Sequence, residues 1–534
     1  MKPGKVILKM HHQSILRQIL FQSFAPRRCM STNHHQHPMP HDDIVNSNQI
    51  RHLFSKSMSD MYKKEVPQYS QLLELVRQVN METLEEKKKL KDMSEDDLER
   101  LHEERHGAIR LGTAEELYNM RRLFSVMNMH PVGYYDLSPA GVPVHSTAFR
   151  STDDYSLNQS PFRVFTSLLR LELIENKDLR DKSSAILNRR RIFSEALMGL
   201  IEKFETDGAL RLKDAASFIA EAIKVFKFNN EITVSYDTYS NFHKTHPLVA
   251  DIVCFKSPHI NHLTPSTLDI DRVQDKMVAE VSKPGACIPK AVIEGPPKRE
   301  VPILLRQTSF KALTEDILAP GEDGDSSQEG KHTARFGEVE QRGIALTPKG
   351  RQLYDYLLDK TRGSFQGIPN ESNSKLYMEN LESNFSVFPD DLNTLRKDKL
   401  AYFKYHVTES GKDHLAKNVN DFNWDNYLKL GFISYSGITY EDFLPVSAAG
   451  IFQSNLSTNQ NTRRDSIELN SSRADFEDAL GCSVQDELKL YAELEKKSVQ
   501  DCTFYFIRRI ETNYTYLSNA QPNLEKVYSS HFES

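Results

Sequence analysis

At 534 residues, with 39% hydrophobic and 27% charged residues, the chain is long enough for two to four domains and has the composition of a soluble globular protein. A net charge of −6 supplies no basic stripe, which argues against a nucleic-acid partner. No run of roughly 18 apolar residues occurs, which argues against a membrane-spanning helix, and the 5 cysteines contain no CxxC pair, which argues against a disulfide framework or a thiolate metal cluster.

The first forty residues are basic (Lys2, Lys5, Lys9, Arg17, Arg27, Arg28), lack any acid before Asp42, and place Ile7, Leu8, Ile15, Leu16, Ile19, Leu20 and Phe21 where they can form one helical face. These are the marks of a mitochondrial or plastid transit peptide, with a basic tail of a cytosolic protein as the other reading. A histidine-rich linker follows, so residues 1–45 stand outside the fold. From Asn46 to Phe124 the pattern is helical, with Leu53, Phe54, Met58 and Met61 at helical spacing, Pro67 opening a second run, and Thr113 placed to cap a helix. Past His130 the signal changes. VGYYDLS, VPVHSTAF and RVFTSLLRLEL read as strands punctuated by Pro139, Gly141 and Pro143. Helices are predicted near 179–203 and 211–226, then strands at ITVSY and DIVCFK, a helix near 267–280, strands at PILLRQTSF and TARFGEVEQ, and a helix at RQLYDYLLDK. Polar stretches at 321–330, 363–375 and 455–472 read as loops. The pattern is one α+β unit with helical additions, without internal repeats.

Metal chemistry must then come from imidazoles and carboxylates. His106, His262 and Glu338 supply two neutral nitrogens and one carboxylate, the set that holds non-haem Fe(II) from one side, but spacing alone cannot select them from 19 histidines. His106 and Arg110 share a face in either helix or strand. Glu338 and Glu340 share a face in a strand, and a carboxylate pair aimed inward is costly unless a cation meets it; a solvated pair with Arg335 and Arg342 is the alternative. His259 and His262 can both reach a site only on a helical turn, and His145 reads as a satisfied core histidine. Arg306, Arg335 and Gln341 are candidates to orient Glu338, with sheet-end salt bridges as the other reading.

ERHGAIRLGT, PVGYYDLSPAGVPVHSTAFR, SPFRVFTSLLRLELI, ADIVCFKSPHINHLTPSTLDID, PILLRQTSFKAL, HTARFGEVEQRGIALTPKGRQLYD and LPVSAAGIF strongly resemble the 2-oxoadipate dioxygenase/decarboxylase family, whose bacterial members are (R)-2-hydroxyglutarate synthases of lysine breakdown. The resemblance implies a vicinal-oxygen-chelate-like fold, a curved β-sheet around one metal with helical N-terminal and C-terminal additions. It implies a catalytic domain over 46–455, with 456–534 as a polar loop and C-terminal extension packed on it. It further implies Fe(2+) as cofactor, held by His106, His262 and Glu338. Arg110 would be the substrate-binding, catalytic arginine, and Val446 and Ser447 a further substrate-contacting segment. The substrates implied are a 2-oxo dicarboxylic acid and O2, the products 2-hydroxyglutarate and CO2. Neither nucleic acid nor membrane is an expected partner, and the oligomeric state is left open. A zinc- or nickel-dependent isomerase or lyase on the same scaffold, or a non-catalytic organellar protein, are the alternatives.

Overall fold

The computed structural model describes residues 44–88, 98, 100–101, 103–280, 289, 292–321, 326–365, 369, 372–413, 423–444 and 469–513. The proposed transit peptide and most of the polar stretch 455–472 lie outside these residues. Asn46 opens helix α1 (Ser47–Glu65) with a reciprocal cap: its side chain accepts from the Asn48 N–H, and its own N–H donates to Gln49. Pro67 cannot continue that helix and instead starts α2 (Pro67–Glu86). Ile50, Leu53, Phe54 and Met58 are all buried, as helical spacing predicts.

The next element departs from the sequence reading. Residues 104–111, expected to be helical, form strand β1 (Glu104–Leu111). Its residues are mostly fair helix formers, but hydrogen-bonded strands flank it on both edges and a packed layer buries each face, so tertiary pairing overrides propensity. Gly107 sits where a Cβ would lie 2.7 Å from Ile260, so the chain before β5 packs directly on the backbone there. Helix α3 (Ala114–Ser125) then starts as predicted, with Thr113 Oγ1 accepting from the Glu116 N–H.

Strands β2 (His130–Asp136), β3 (Val144–Arg150) and β4 (Arg163–Leu169) appear where the alternating pattern and the proline and glycine breaks place them. With β5 (His262–Pro265) they make a five-stranded sheet of order β2-β3-β4-β1-β5, in which only β1 and β4 run parallel. One face carries Ile109, Leu111, Phe149 and Val164 against a layer of α1, α2, α3 and helices α4 (Glu195–Asp207) and α5 (Leu212–Phe226). The other face carries His106, Ala108 and Arg110 from β1, with Ala148 and Phe165 alongside.

Between α5 and β5 the two predicted strands are replaced. ITVSY makes only isolated bridges and runs into helix α6 (Tyr236–Thr245), while the first half of DIVCFK ends helix α7 (Pro247–Val253) and Phe255 bridges Ile232. An apolar run of this length fits either a buried strand or a buried helix. Here the His246 side chain caps the Leu248 N–H and Pro247 fills the first turn, which selects the helix. Helix α8 (Ile270–Glu280) and strands β6 (Leu305–Ser309) and β9 (Glu338–Arg342) follow the prediction. Between β6 and β9, the stretch read as a loop over 321–330 instead contributes to an antiparallel hairpin of β7 (Thr314–Pro320) and β8 (Ser327–Thr333).

Strand β9 pairs with β6 and joins the main sheet at one point, where Ser266 bridges Glu340 and the Thr267 N–H donates to the Glu340 carbonyl. The whole is a mixed α+β fold with a curved sheet, its curvature carried over two ladders joined by a single bridge. Farther along, helix α9 (Pro348–Ser364) forms as predicted, and strands β10 (Phe403–Val407) and β11 (Ile433–Gly437) pair with each other. The long helix α10 (Glu487–Asn513) covers the outer edge of β10: the Phe403 and Tyr405 N–H groups donate to Glu495 and Ser498. Among the described residues no helix is long and apolar enough to cross a membrane, and Cys254, Cys482 and Cys502 are free thiols.

Burial raises the Glu495 carboxyl to about 7, against the Phe403 hydrogen bond that opposes the shift. Between about 4.5 and 7 the folded chain therefore binds the proton that the unfolded chain has lost, so this group makes stability fall as pH rises through that window. Glu495→Gln keeps the acceptor and removes the titration. Its melting temperature is expected to match the parent near pH 4.5 and to exceed it at pH 8, by at most about 3 kcal/mol of stability and less because the carboxyl is partly open to solvent. Parallel melting profiles for the two proteins across pH 4.5–8 would remove Glu495 as the cause.

Candidate metal centre

The register of β1 against β5 sets His106 opposite Thr264 and Ala108 opposite His262. All four therefore project from the same face of the sheet, with Arg110 two residues beyond Ala108. Strand β9 presents Glu338 and Glu340 to the same space. His106 lies between them: Nδ1 is 2.8 Å from Glu340 Oε2 and Nε2 is 2.9 Å from Glu338 Oε1. Glu340 is fixed in turn by Arg342, whose Nε and Nη2 donate to its two oxygens at 2.6 and 2.9 Å. The predicted carboxylate pair is thus real but fully buried, and Arg342 is its partner in the interior rather than on a solvated face.

Glu340 accepts, so Nδ1 of a neutral His106 carries the proton and Nε2 turns its lone pair toward Glu338 and the Thr264 hydroxyl, 3.2 Å away. A lone pair facing a carboxylate at 2.9 Å is repulsive unless a proton or a cation lies between them. Burial alone would lower the His106 pKa, but the two carboxylates hold it above its ordinary value. Glu338 Oε1 accepts from Gln307 Nε2 at 2.5 Å and from Thr264, whereas Oε2 is buried without a hydrogen-bond partner and lies 4.0 Å from His262 Nε2. His262 packs its ring on Phe336 at 4.8 Å, and burial pushes it down to about 3, so it is neutral with a lone pair to offer. Burial would raise Glu338, but His262 and His106 keep it below the usual carboxylate range and hence anionic.

One ligating atom from each of His106, His262 and Glu338 lies within 4.8 Å of the other two. Two imidazoles and one buried carboxylate with an orphaned oxygen fit a single divalent cation, and the N/O donor set suits Fe(II), Mn(II) or Zn(II) better than a thiophilic ion. The Phe443 ring closes one side, edge-on to His106 at 4.9 Å and to Phe165 at 5.0 Å.

The other candidate residues sort as follows. Arg110 is buried on the ligand face and its Nη1 meets Asp251 Oδ2 at 2.6 Å. Val446 and Ser447 lie outside the described residues. Arg306, Arg335 and Gln341 do not orient Glu338: Arg306 pairs with Asp271, Arg335 with Glu65 and Glu315, and Gln341 donates to the Leu268 carbonyl. Glu338 is positioned by Gln307 and Thr264, which the sequence reading missed; Thr264 carried a signal, being two residues from His262 in a strand. His259 points away from the centre toward Asp251, as an extended PHINH segment requires. His145 is a buried core histidine beside Tyr134 and Phe476.

A curved sheet that sets two imidazoles and a buried carboxylate within reach of one ion, with a buried arginine on the same strand as one imidazole, is the arrangement of a metal-dependent enzyme. Residues 54–455 match the family model described as 2-oxoadipate dioxygenase/decarboxylase, and the chain belongs to that family. The 2-oxoadipate dioxygenase/decarboxylase of Pseudomonas putida is 52% identical over 466 residues, covering 87% of this chain and 98% of the relative. The Mycobacterium bovis protein of the same name is 35% identical over 458 residues, covering 85% and 98%. The crystal structure of the hydroxyglutarate synthase from Pseudomonas putida in complex with 2-oxoadipate superposes with a TM-score of 0.78 at 49% identity, covering 87% of this chain and 99% of that one.

Proposed function

We propose that this chain is an Fe(II)-dependent dioxygenase that converts 2-oxoadipate and O2 to 2-hydroxyglutarate and CO2 in lysine breakdown. The observation that carries the reading is the convergence of His106, His262 and Glu338 on one point, with a buried Glu338 oxygen that has no hydrogen-bond partner, an arrangement that a divalent cation resolves, in a chain whose solved relative holds 2-oxoadipate. A ferrous ion held by His106, His262 and Glu338 would supply the redox chemistry that lets O2 oxidise a 2-oxo acid with loss of its carboxyl group. The atoms balance: one oxygen of O2 enters the new carboxylate at the former keto carbon and the other the new hydroxyl, so the substrate supplies every electron and no second oxo acid is consumed.

The protein's own groups do the rest. Glu340 and Arg342 lock the tautomer and ring plane of His106. Gln307 and Thr264 hold one Glu338 oxygen and leave the other for the cation. Phe443 and Phe336 keep water from the ligand face. Arg110 takes the distal carboxylate of the substrate, and Ser447 a further polar contact. We read the curved sheet as vicinal-oxygen-chelate in type, and the basic, acid-free N-terminal segment as support for a mitochondrial address.

Anaerobic loading with Fe(II), then O2 and a panel of 2-oxo acids, tests the proposal. Equal amounts of O2 consumed, CO2 released and 2-hydroxyglutarate formed are expected. Product without oxygen uptake would mark an isomerase or lyase instead. Arg110→Lys keeps the charge but loses the planar fork, and is expected to raise KM for 2-oxoadipate by about 10-fold with kcat little changed. Unchanged kinetics would remove Arg110 from the substrate.

A further inference from the structure

Behind Arg110 lies a second buried group that resembles the metal centre in composition: Asp251 on α7, His259 before β5 and His332 on β8, with ligating atoms again within 4.8 Å of one another. Its ion pair with Arg110 sets it apart. Asp251 Oδ2 accepts from Arg110 Nη1 at 2.6 Å and from Asn261 Nδ2 at 3.4 Å. Oδ1 is met by His332 Nε2 at 3.0 Å, and His259 Nε2 lies 3.1 Å from it. The Tyr239 hydroxyl donates to the Lys331 carbonyl at 3.1 Å and lies 2.9 Å from His332 Nδ1, so it backs the ring from the side away from Asp251. The Arg110 guanidinium already neutralises Asp251, and a divalent ion beside it would add two positive charges to a fully buried space.

We infer that Asp251 is a positioning residue for substrate selection, holding Arg110 by Nη1 so that the guanidinium is aimed at the distal carboxylate of a 2-oxo dicarboxylic acid. This rests on the dioxygenase reading above. His332 and Tyr239 hold the carboxylate from behind, and Asn261 ties it to the chain entering His262, so the arginine and a metal ligand share one frame. A guanidinium fixed before the substrate arrives loses less freedom on binding and clamps a carboxylate in one orientation.

The test compares 2-oxoadipate with 2-oxohexanoate, a mono acid of equal chain length, on the iron-loaded full-length protein. Asp251→Asn is expected to lower kcat/KM for the diacid by 10- to 100-fold, to leave the mono acid within about twofold, and to keep one divalent ion per chain. In an Arg110→Met background the same change should cost the diacid nothing further, because Asp251 acts through Arg110. Should Asp251→Asn not accumulate as folded protein, His332→Ala decides, with a smaller loss of the same selectivity. Equal losses for both acids, or an additive cycle, would reduce Asp251 to a structural role. Two ions per parent chain, with one lost in the variant, would make this a second cation site. A parent enzyme inactive on both acids would instead sink the dioxygenase reading itself.

Discussion

Glu338→Ala is expected to yield folded protein that neither retains iron nor turns over 2-oxoadipate. Glu338 is the one anionic group among the three ligands, and the two imidazoles left behind are neutral donors. Changing groups that merely support a metal ligand costs about 10- to 100-fold in affinity or activity, so loss of the ligand itself should exceed ~100-fold. Stability should not follow activity. Without a cation the parent buries a carboxylate whose Oε2 lacks a hydrogen-bond partner, so the metal-free alanine variant should melt close to the metal-free parent. The parent alone should gain from Fe(II), by about 2.7 kcal/mol at a hundredfold excess over Kd. Thermal melts of both proteins with and without Fe(II), alongside iron content and oxygen uptake, check each part. His106→Ala should behave alike in iron content and turnover. A variant with full iron and full activity would refute the assignment.

The second large effect lies away from the metal. Asp442 is fully buried; both its oxygens accept from Arg150 of β3 at 2.7 and 2.8 Å, and Tyr491 of α10 donates to it. The Tyr491 hydroxyl also accepts from the Glu441 N–H. One carboxylate thus ties the central sheet to the C-terminal helix. Asp442→Ala would strand a buried guanidinium, and is expected to destabilise the protein by about 3–5 kcal/mol in equilibrium urea unfolding. Turnover should fall as well, because Phe443, the wall beside His106, follows Asp442 directly and its N–H donates to Tyr135. A loss below about 1 kcal/mol would show that the network is not a tie.

Much of the centre was legible before any geometry. Strands β2 to β4 were marked by alternation and by Pro139, Gly141 and Pro143. His106, His262 and Glu338 were singled out by motif resemblance and indeed converge, though their spacing alone could not choose them. What sequence could not supply was pairing. Gln307, rather than its neighbour Arg306, holds Glu338, because the register of β6 against β9 turns Gln307 to the Glu338 face and Arg306 to the opposite one. A shift of one residue exchanges them, and nothing local encodes it. The helix expected at residues 104–111 failed for a related reason: only the strands on either side, from positions far along the chain, make β1 extended.

The contact between His106 and Glu340 spans 234 positions, the reach over which the two ladders meet. A ribosome adding roughly 5–20 residues per second takes on the order of 10–50 s to cover that distance. During that interval the nascent chain carries His106 with no acid to complete its cage. Cation choice therefore waits until Glu338 and Glu340 have been made, when whichever ion is then abundant competes for a complete set of donors rather than for a lone imidazole on a growing strand.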